Sequence, residues 1–173
     1  MNLLLRASIL LPLSLGSALA YAKSTDRNQP VAIDAGHQVG NFEENGRTVM
    51  SQGIVITQGT LEIKAAAGEM TMKNGDPARA IFTGSPVTLK QQMDDGSPMV
   101  ATANRLDYDL INDVITLTGN YTVKSPKGSN SGQKMVYNLK SGNMESGGDG
   151  TRVKTVIQPK SAAPAPKKTE GTK

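Results

Sequence analysis

His37 is the single histidine in a chain of 173 residues that contains no cysteine. Metal, acid–base or nucleophilic chemistry would have to be built around it. Zinc sites draw three or four ligands from Cys, His and carboxylates, and a Ser-His-Asp arrangement needs a histidine oriented by a carboxylate. His37 follows Gly36 and has no carboxylate pair nearby, which reads as a turn histidine. Asp94-Asp95 sits in a Gly/Pro-rich turn stretch, and Asp107-x-Asp109 alternates with apolar residues as the wet face of a strand does. Asn120-Tyr121-Thr122 fits a glycosylation sequon, a short word read here as coincidence. The sequence has no phosphate-cradling Gly-Lys-Ser/Thr loop. This inventory predicts a protein that is not an enzyme and holds no metal and no cofactor.

The elements that would position any site are strands. Apolar and polar residues alternate with period two in Val31-Ile33-Ala35, Leu61-Ile63-Ala65, Leu106-Tyr108-Leu110, Ile115-Leu117 and Tyr121-Val123, the pattern of a sheet with one buried and one wet face. Turn words separate these runs, among them Glu44-Asn45-Gly46, Asn74-Gly75-Asp76-Pro77, Asp94-Asp95-Gly96-Ser97-Pro98 and Pro126-Lys127-Gly128. No stretch carries a helical apolar stripe. Two elements recur at about 30 to 35 residues, within the range of stacked repeat units. One is a Gly followed by a β-branched strand, at Gly53, Gly84 and Gly119. The other begins with small residues, at Ala65, Ala101 and Ser131. Each unit is a strand pair that cannot bury its own apolar face, so neighbours must stack. The fold class expected is all-β, repeat-built and mostly antiparallel.

The ends differ from this middle. Arg6, the apolar stretch Ala7 to Leu19 and the small-residue words Ala18-Leu19-Ala20 and Ala20-Tyr21-Ala22 have the order of a secretory signal peptide. Residues 1–22 are therefore predicted to be removed on export, with cleavage before Lys23, followed by an N-terminal extension over 23–29. The sheet domain is assigned to 30–159 and a disordered basic tail to 160–173, where Pro, Ala and Lys leave nothing large to pack. The net charge of +4 belongs to the ends. Residues 30–150 carry ten basic and thirteen acidic side chains, net −3, whereas 151–173 carry net +5. A nucleic-acid binder needs a basic folded face with stacking aromatics, so nucleic acid is excluded as a partner.

Four segments carry a resemblance to a known family: Gln29-Pro30-Val31-Ala32-Ile33-Asp34, Gly53-Ile54-Val55-Ile56-Thr57-Gln58-Gly59-Thr60-Leu61-Glu62-Ile63-Lys64-Ala65, Leu117-Thr118-Gly119-Asn120, and Arg152-Val153-Lys154-Thr155-Val156-Ile157 with Pro159. In this order, behind a signal peptide and ahead of a basic tail, they resemble the LptA/OstA-like family over roughly Gln29 to Pro159. The resemblance implies an OstA-like β-jellyroll of bent antiparallel strands, open at both ends. It also implies a periplasmic protein that bridges the envelope and passes lipopolysaccharide toward the outer membrane. The partners implied are lipopolysaccharide, through its lipid A acyl chains, and the inner-membrane and outer-membrane transport components that share the jellyroll.

The resemblance places Val31, Ile33, Leu89, Tyr108 and Leu110 where that family contacts acyl chains; Ile63 joins them from the alternation alone. An open jellyroll also leaves strand edges unpaired. Head-to-tail self-association is expected, with Val31, Ile33 and Ala35 of one copy against Val153, Thr155 and Ile157 of the next, a contact that builds filaments rather than closed dimers. The rival reading is a non-enzymatic envelope scaffold or a glycan-binding β-solenoid. Sugar sites stack on aromatics, and 0 Trp, 4 Tyr and 2 Phe favour aliphatic ligands.

Overall fold

A computed structural model describes Asp26 and residues 28–159. The predicted signal peptide, most of the N-terminal extension and the predicted tail lie outside the described residues. Ten strands follow in order: β1 (Ala32–Gly40), β2 (Arg47–Gln58), β3 (Leu61–Ala65), β4 (Ala67–Lys73), β5 (Asp76–Gln92), β6 (Pro98–Asp109), β7 (Val114–Ser125), β8 (Gly128–Asn138), β9 (Met144–Ser146) and β10 (Lys154–Ile157). They form one sheet in the order β1-β2-β3-β5-β6-β7-β8-β10, with β4 between β2 and β5 and β9 on β8. Every pairing is antiparallel. The all-β expectation holds, and the fold is that of a bent, open jellyroll.

The bend has a residue-level cause. Pairing is interrupted in mid-strand between Ala35 and His37, between Thr83 and Val87, between Thr102 and Arg105 and between Thr118 and Tyr121. Extra unpaired residues bend a strand and raise its local twist. In β2 the corner is Gln52-Gly53, at φ 64° and 85°, and in β7 it is Gly119-Asn120, at φ 79° and 49°, a left-handed region that most side chains avoid. Pro86 supplies the corner of β5, where a residue without an N–H is tolerated because the ladder is already broken. Between β3 and β4 the corner is Ala66, whose N–H donates to the Thr83 carbonyl at 3.0 Å and whose carbonyl accepts from the Gly53 N–H at 3.2 Å. These corners line up across neighbouring strands as a crease. The recurring Gly and small-residue words of the sequence are this crease, met once in each long strand and between β3 and β4.

The crease divides the sheet into two halves. The first holds the start of β1, the end of β2, β3, the end of β5, the start of β6, the end of β7, the start of β8 and β10. The second holds the other half of each long strand with β4 and β9. Their apolar faces meet in one core in which Met50, Phe82, Val87, Leu106 and Tyr121 are the largest fully buried side chains. Burying one such side chain contributes about 1.5–3 kcal/mol. The outer faces carry charge. Arg47 holds Glu69 with two bonds at 2.5 and 2.6 Å, and Arg79 holds Asp107 with two at 2.8 and 2.7 Å. Solvent screens such exposed pairs, so the core and not the ion pairs keeps the halves together.

His37 corrects the sequence expectation: it lies inside β1, just past the bulge and opposite Ser51, rather than in a turn. The last strand begins at Lys154, so Val153 precedes it. Asp26, assigned by sequence to an extension, is buried: its carboxylate accepts from Thr60 Oγ1 and, at 3.3 Å, from Gln91 Nε2. It thereby fastens the approach to β1 onto the β2–β3 turn and the end of β5.

Two outcomes test this description. A Cβ on Gly119 would stand 2.8 Å from Asn104 Nδ2 at a positive φ, so Gly119→Ala is expected to cost about 1–2 kcal/mol or more, read as a lower denaturant midpoint at constant slope. Arg79, through its hydrogen bonds and its charge, holds the Asp107 carboxyl below its ordinary range. The stabilisation is thus present above the unfolded value of about 3.9 and is lost as pH falls through the lower folded value. In Arg79→Ala the Asp107 midpoint, followed by carboxyl NMR, rises toward about 3.9; an unmoved midpoint would show that Arg79 is not the cause.

Candidate functional site

Opposite the crease the two half-sheets do not close on each other, and apolar cavities open along this mouth. The strand period explains their lining. On each strand the inward residues continue past the core toward the strand tips, where no facing side chain fills the space. Nearest β1, a small cavity of about 30 Å³ is lined by Val31, Leu61, Ile63, Phe82, Tyr108 and Leu110, among others. Beside it, beneath β1, Val31, Ile33, Gln38, Phe42, Met70 and Met72 border a shallow opening of about 340 Å³. Toward β9 a second cavity, of about 220 Å³ and so larger than the one nearest β1, is lined by Leu89, Met99, Ile115, Val123, Met135 and Tyr137, among others.

Two neighbouring pairs divide the small cavity from the large one. On the first half-sheet Ile63 and Leu89 are direct partners, and on the second Tyr108 and Ile115 are. In each pair one residue lines the small cavity and the other the large one. The space is therefore a series of apolar compartments running across the strands rather than a single pit.

Around the mouth, ion pairs sit at the lips. On the first half-sheet Lys127 Nζ bonds Asp95 Oδ2 at 2.7 Å, joining the β5–β6 and β7–β8 turns. On the second, Lys140 pairs with Asp113 at 3.3 Å, joining the turns before β7 and β9. The Lys127 ammonium, with the Ser97 hydroxyl and amide, holds the Asp95 carboxyl well below the usual carboxylate range. At the β10 end a polar cluster ties the sheet together. Tyr121 donates to the buried Asn130 Oδ1 at 2.5 Å, Ser146 donates to the same oxygen at 3.3 Å, and Asn130 Nδ2 donates to Thr155 Oγ1 at 2.9 Å. Strands β7, β8, β9 and β10 thus share one amide.

The residues singled out from the sequence separate into places. Val31, Ile63, Tyr108 and Leu110 come together around the small cavity, Ile33 lies with Val31 beneath β1, and Leu89 lines the large one. Sequence reasoning missed most of the large cavity: Met93, Met99, Val123, Tyr137, Leu139 and Met144. A weaker signal was present: Met135, Tyr137 and Leu139 stand at every second position, but apolar Val136 breaks the alternation. Val31, Ile33 and Ala35 lie at the β1 edge, and Thr155 and Ile157 at the β10 edge; Ile157 is 81% exposed. Among the described residues no three His, Asp or Glu side chains come together in a way that could hold a metal ion. The geometry can sequester aliphatic chains from water, with polar groups left at the lips.

Comparison with known proteins agrees with this geometry. A family model described as LptA/(LptD N-terminal domain) LPS transport protein matches residues 32–143, from the first residue of β1 to the residue before β9. The chain is 36% identical over 149 residues to the lipopolysaccharide export system protein LptA of Haemophilus influenzae, covering 84% of this chain and 86% of that one. It is 31% identical over 163 residues to LptA of Escherichia coli K12, covering 92% and 85%. Among solved structures, LptH of Pseudomonas aeruginosa, described as the LptA-homologous periplasmic component of the lipopolysaccharide transport device, superposes with a TM-score of 0.67. It does so at 21% identity, over 78% of this chain and 99% of that one, and so shares the fold. By the family match and by relatives more than 30% identical along most of its length, the chain belongs to the LptA/(LptD N-terminal domain) family of LPS transport proteins.

Proposed function

We propose that this protein carries lipopolysaccharide through the periplasm, holding the acyl chains between its two half-sheets, and that copies joined edge to edge extend the path from the inner to the outer membrane. The observation that carries this reading is the run of apolar compartments along the mouth, in a chain of this family. A buried methylene is worth about 0.8 kcal/mol, so one acyl chain of about 12 methylenes faces a barrier on the order of 10 kcal/mol on entering water. An apolar trough removes that barrier. Val31, Ile33, Ile63, Leu89, Tyr108 and Leu110 are the proposed lipid contacts. With no phosphate-cradling loop in the sequence, the chain acts as a passive conduit, and direction comes from the membrane components it meets.

Self-association is the second part of the proposal. The β1 and β10 edges end the sheet, and exposed apolar residues gather at both, Val31 and Val39 at one and Val156 and Ile157 at the other. Unpaired edges of this kind accept a further strand, and a head-to-tail join repeats without closing.

Two measurements test the proposal. Lipopolysaccharide is expected to displace a fluorescent fatty acid from the folded protein, and failure of both ligands to bind would sink the carrier reading. Light scattering is expected to give a mass that rises with concentration for the wild type and stays monomeric for Ile157→Lys; a constant monomer mass for the wild type would remove the filament.

A further inference from the structure

Four of the eight methionines in the sequence, Met93, Met99, Met135 and Met144, line the larger cavity. They reach it from both half-sheets, Met93 and Met99 from the β5–β6 side of the first and Met135 and Met144 from β8 and β9 of the second. They also span its depth: Met144 is 50% exposed at the lip, Met93 and Met99 are half-buried, and Met135 is 2% exposed at the base. The smaller cavity has a different lining, with Ile56, Ile63, Phe82 and Tyr108 beside a single methionine, Met70.

The difference matters because the two kinds of side chain respond differently to a ligand. Branched and aromatic side chains have few rotamers and hold one shape. Methionine is unbranched and polarizable, turns about three bonds, and is favoured on surfaces that must accept varied partners. Protein interiors are close-packed, with few voids larger than a water molecule. A space of about 220 Å³ bordered by methionines thus has a lining able to repack. Met50, fully buried in the core, shows the ordinary space-filling use of the same residue.

We infer that the larger cavity is the length-tolerant compartment of the carrier, in which Met93, Met99, Met135 and Met144 repack around acyl chains that differ in length or branching. The inference rests on the lipid-carrier reading and assigns a specificity role to residues of that same trough. A rigid apolar pocket discriminates a single methylene by about ten- to two-hundredfold, which would suit a single acyl chain and not a mixed set.

The test replaces all four methionines with leucine in the full chain. Leucine conserves volume and hydrophobicity, changes that cores tolerate, while removing the flexible thioether. Displacement of a dansyl-labelled fatty acid by saturated fatty acids from decanoate to stearate is then compared between the two proteins. Affinity is expected to rise smoothly with chain length in the wild type. In the variant it is expected to peak at one length and to fall by at least about tenfold beyond it. The double variant Met99→Leu/Met144→Leu, with one change on each half-sheet, gives the same comparison, a smaller peak being expected, should the fourfold variant not fold. Parallel profiles in wild type and folded variant overturn the inference while leaving lipid carriage intact. Absence of binding in the wild type overturns lipid carriage itself, and this inference with it.

Discussion

The structure depends on a row of interruptions in strand pairing. A flat antiparallel sheet of this length would expose one whole apolar face, and no second layer is available from helices among the described residues. By breaking the ladder once per strand, at Gly36, Gln52-Gly53, Ala66, Gly84 to Pro86, Asn104 and Gly119-Asn120, the chain folds a single sheet over and makes it its own second layer. The same device leaves the mouth open. Side chains near the crease are buried between the layers, as Phe82 and Leu106 of the second half-sheet and Val87 of the first are, while those toward the tips border cavities. Core and trough are one apolar surface at two distances from one fold line.

Much of this was legible because the physics is local. Alternation in Leu61-Ile63-Ala65 or Leu106-Tyr108-Leu110 is a direct trace of a strand with one inward face: Leu61–Ala65 is β3, and Leu106 to Asp109 close β6, with Leu110 one residue beyond. The Gly and small-residue words were visible as a repeat, but their meaning as corners was not. Gly53 and Gly119 use a positive φ that periodicity does not report, while Gly84 has an ordinary φ and relies on Pro86. Asp26 was illegible for a related reason: its partners Thr60 and Gln91 are far away in sequence. The large cavity escaped notice because methionine, unlike isoleucine or valine, does not announce a strand, and because lining and core residues share one composition.

Charge follows the same geometry. Every ion pair between Arg47, Glu69, Arg79, Arg105 and Asp107 lies on an outer face, and the pairs Lys127–Asp95 and Lys140–Asp113 lie at turns. Burying any of these groups unpaired would cost far more than the pairing returns. The inner surface therefore stays apolar apart from a few satisfied polar groups, and the folded part keeps a mild negative balance that sets it apart from the basic ends of the chain.

Asn130 is, with Asp26 and Thr48, one of the buried polar residues among those described, and its position has a mechanical meaning. One side-chain amide is shared by Tyr121 on β7, Ser146 on β9 and Thr155 on β10. Ser146 lies two residues from Met144 at the cavity lip, and Thr155 is in the middle of the edge strand. Spreading the half-sheets at this end pulls on the same amide that seats β10, and stripping it of partners costs about 1–3 kcal/mol. The last strands of the two layers are therefore geared to each other, so that how wide the protein opens and how firmly it holds out its final edge are not independent quantities.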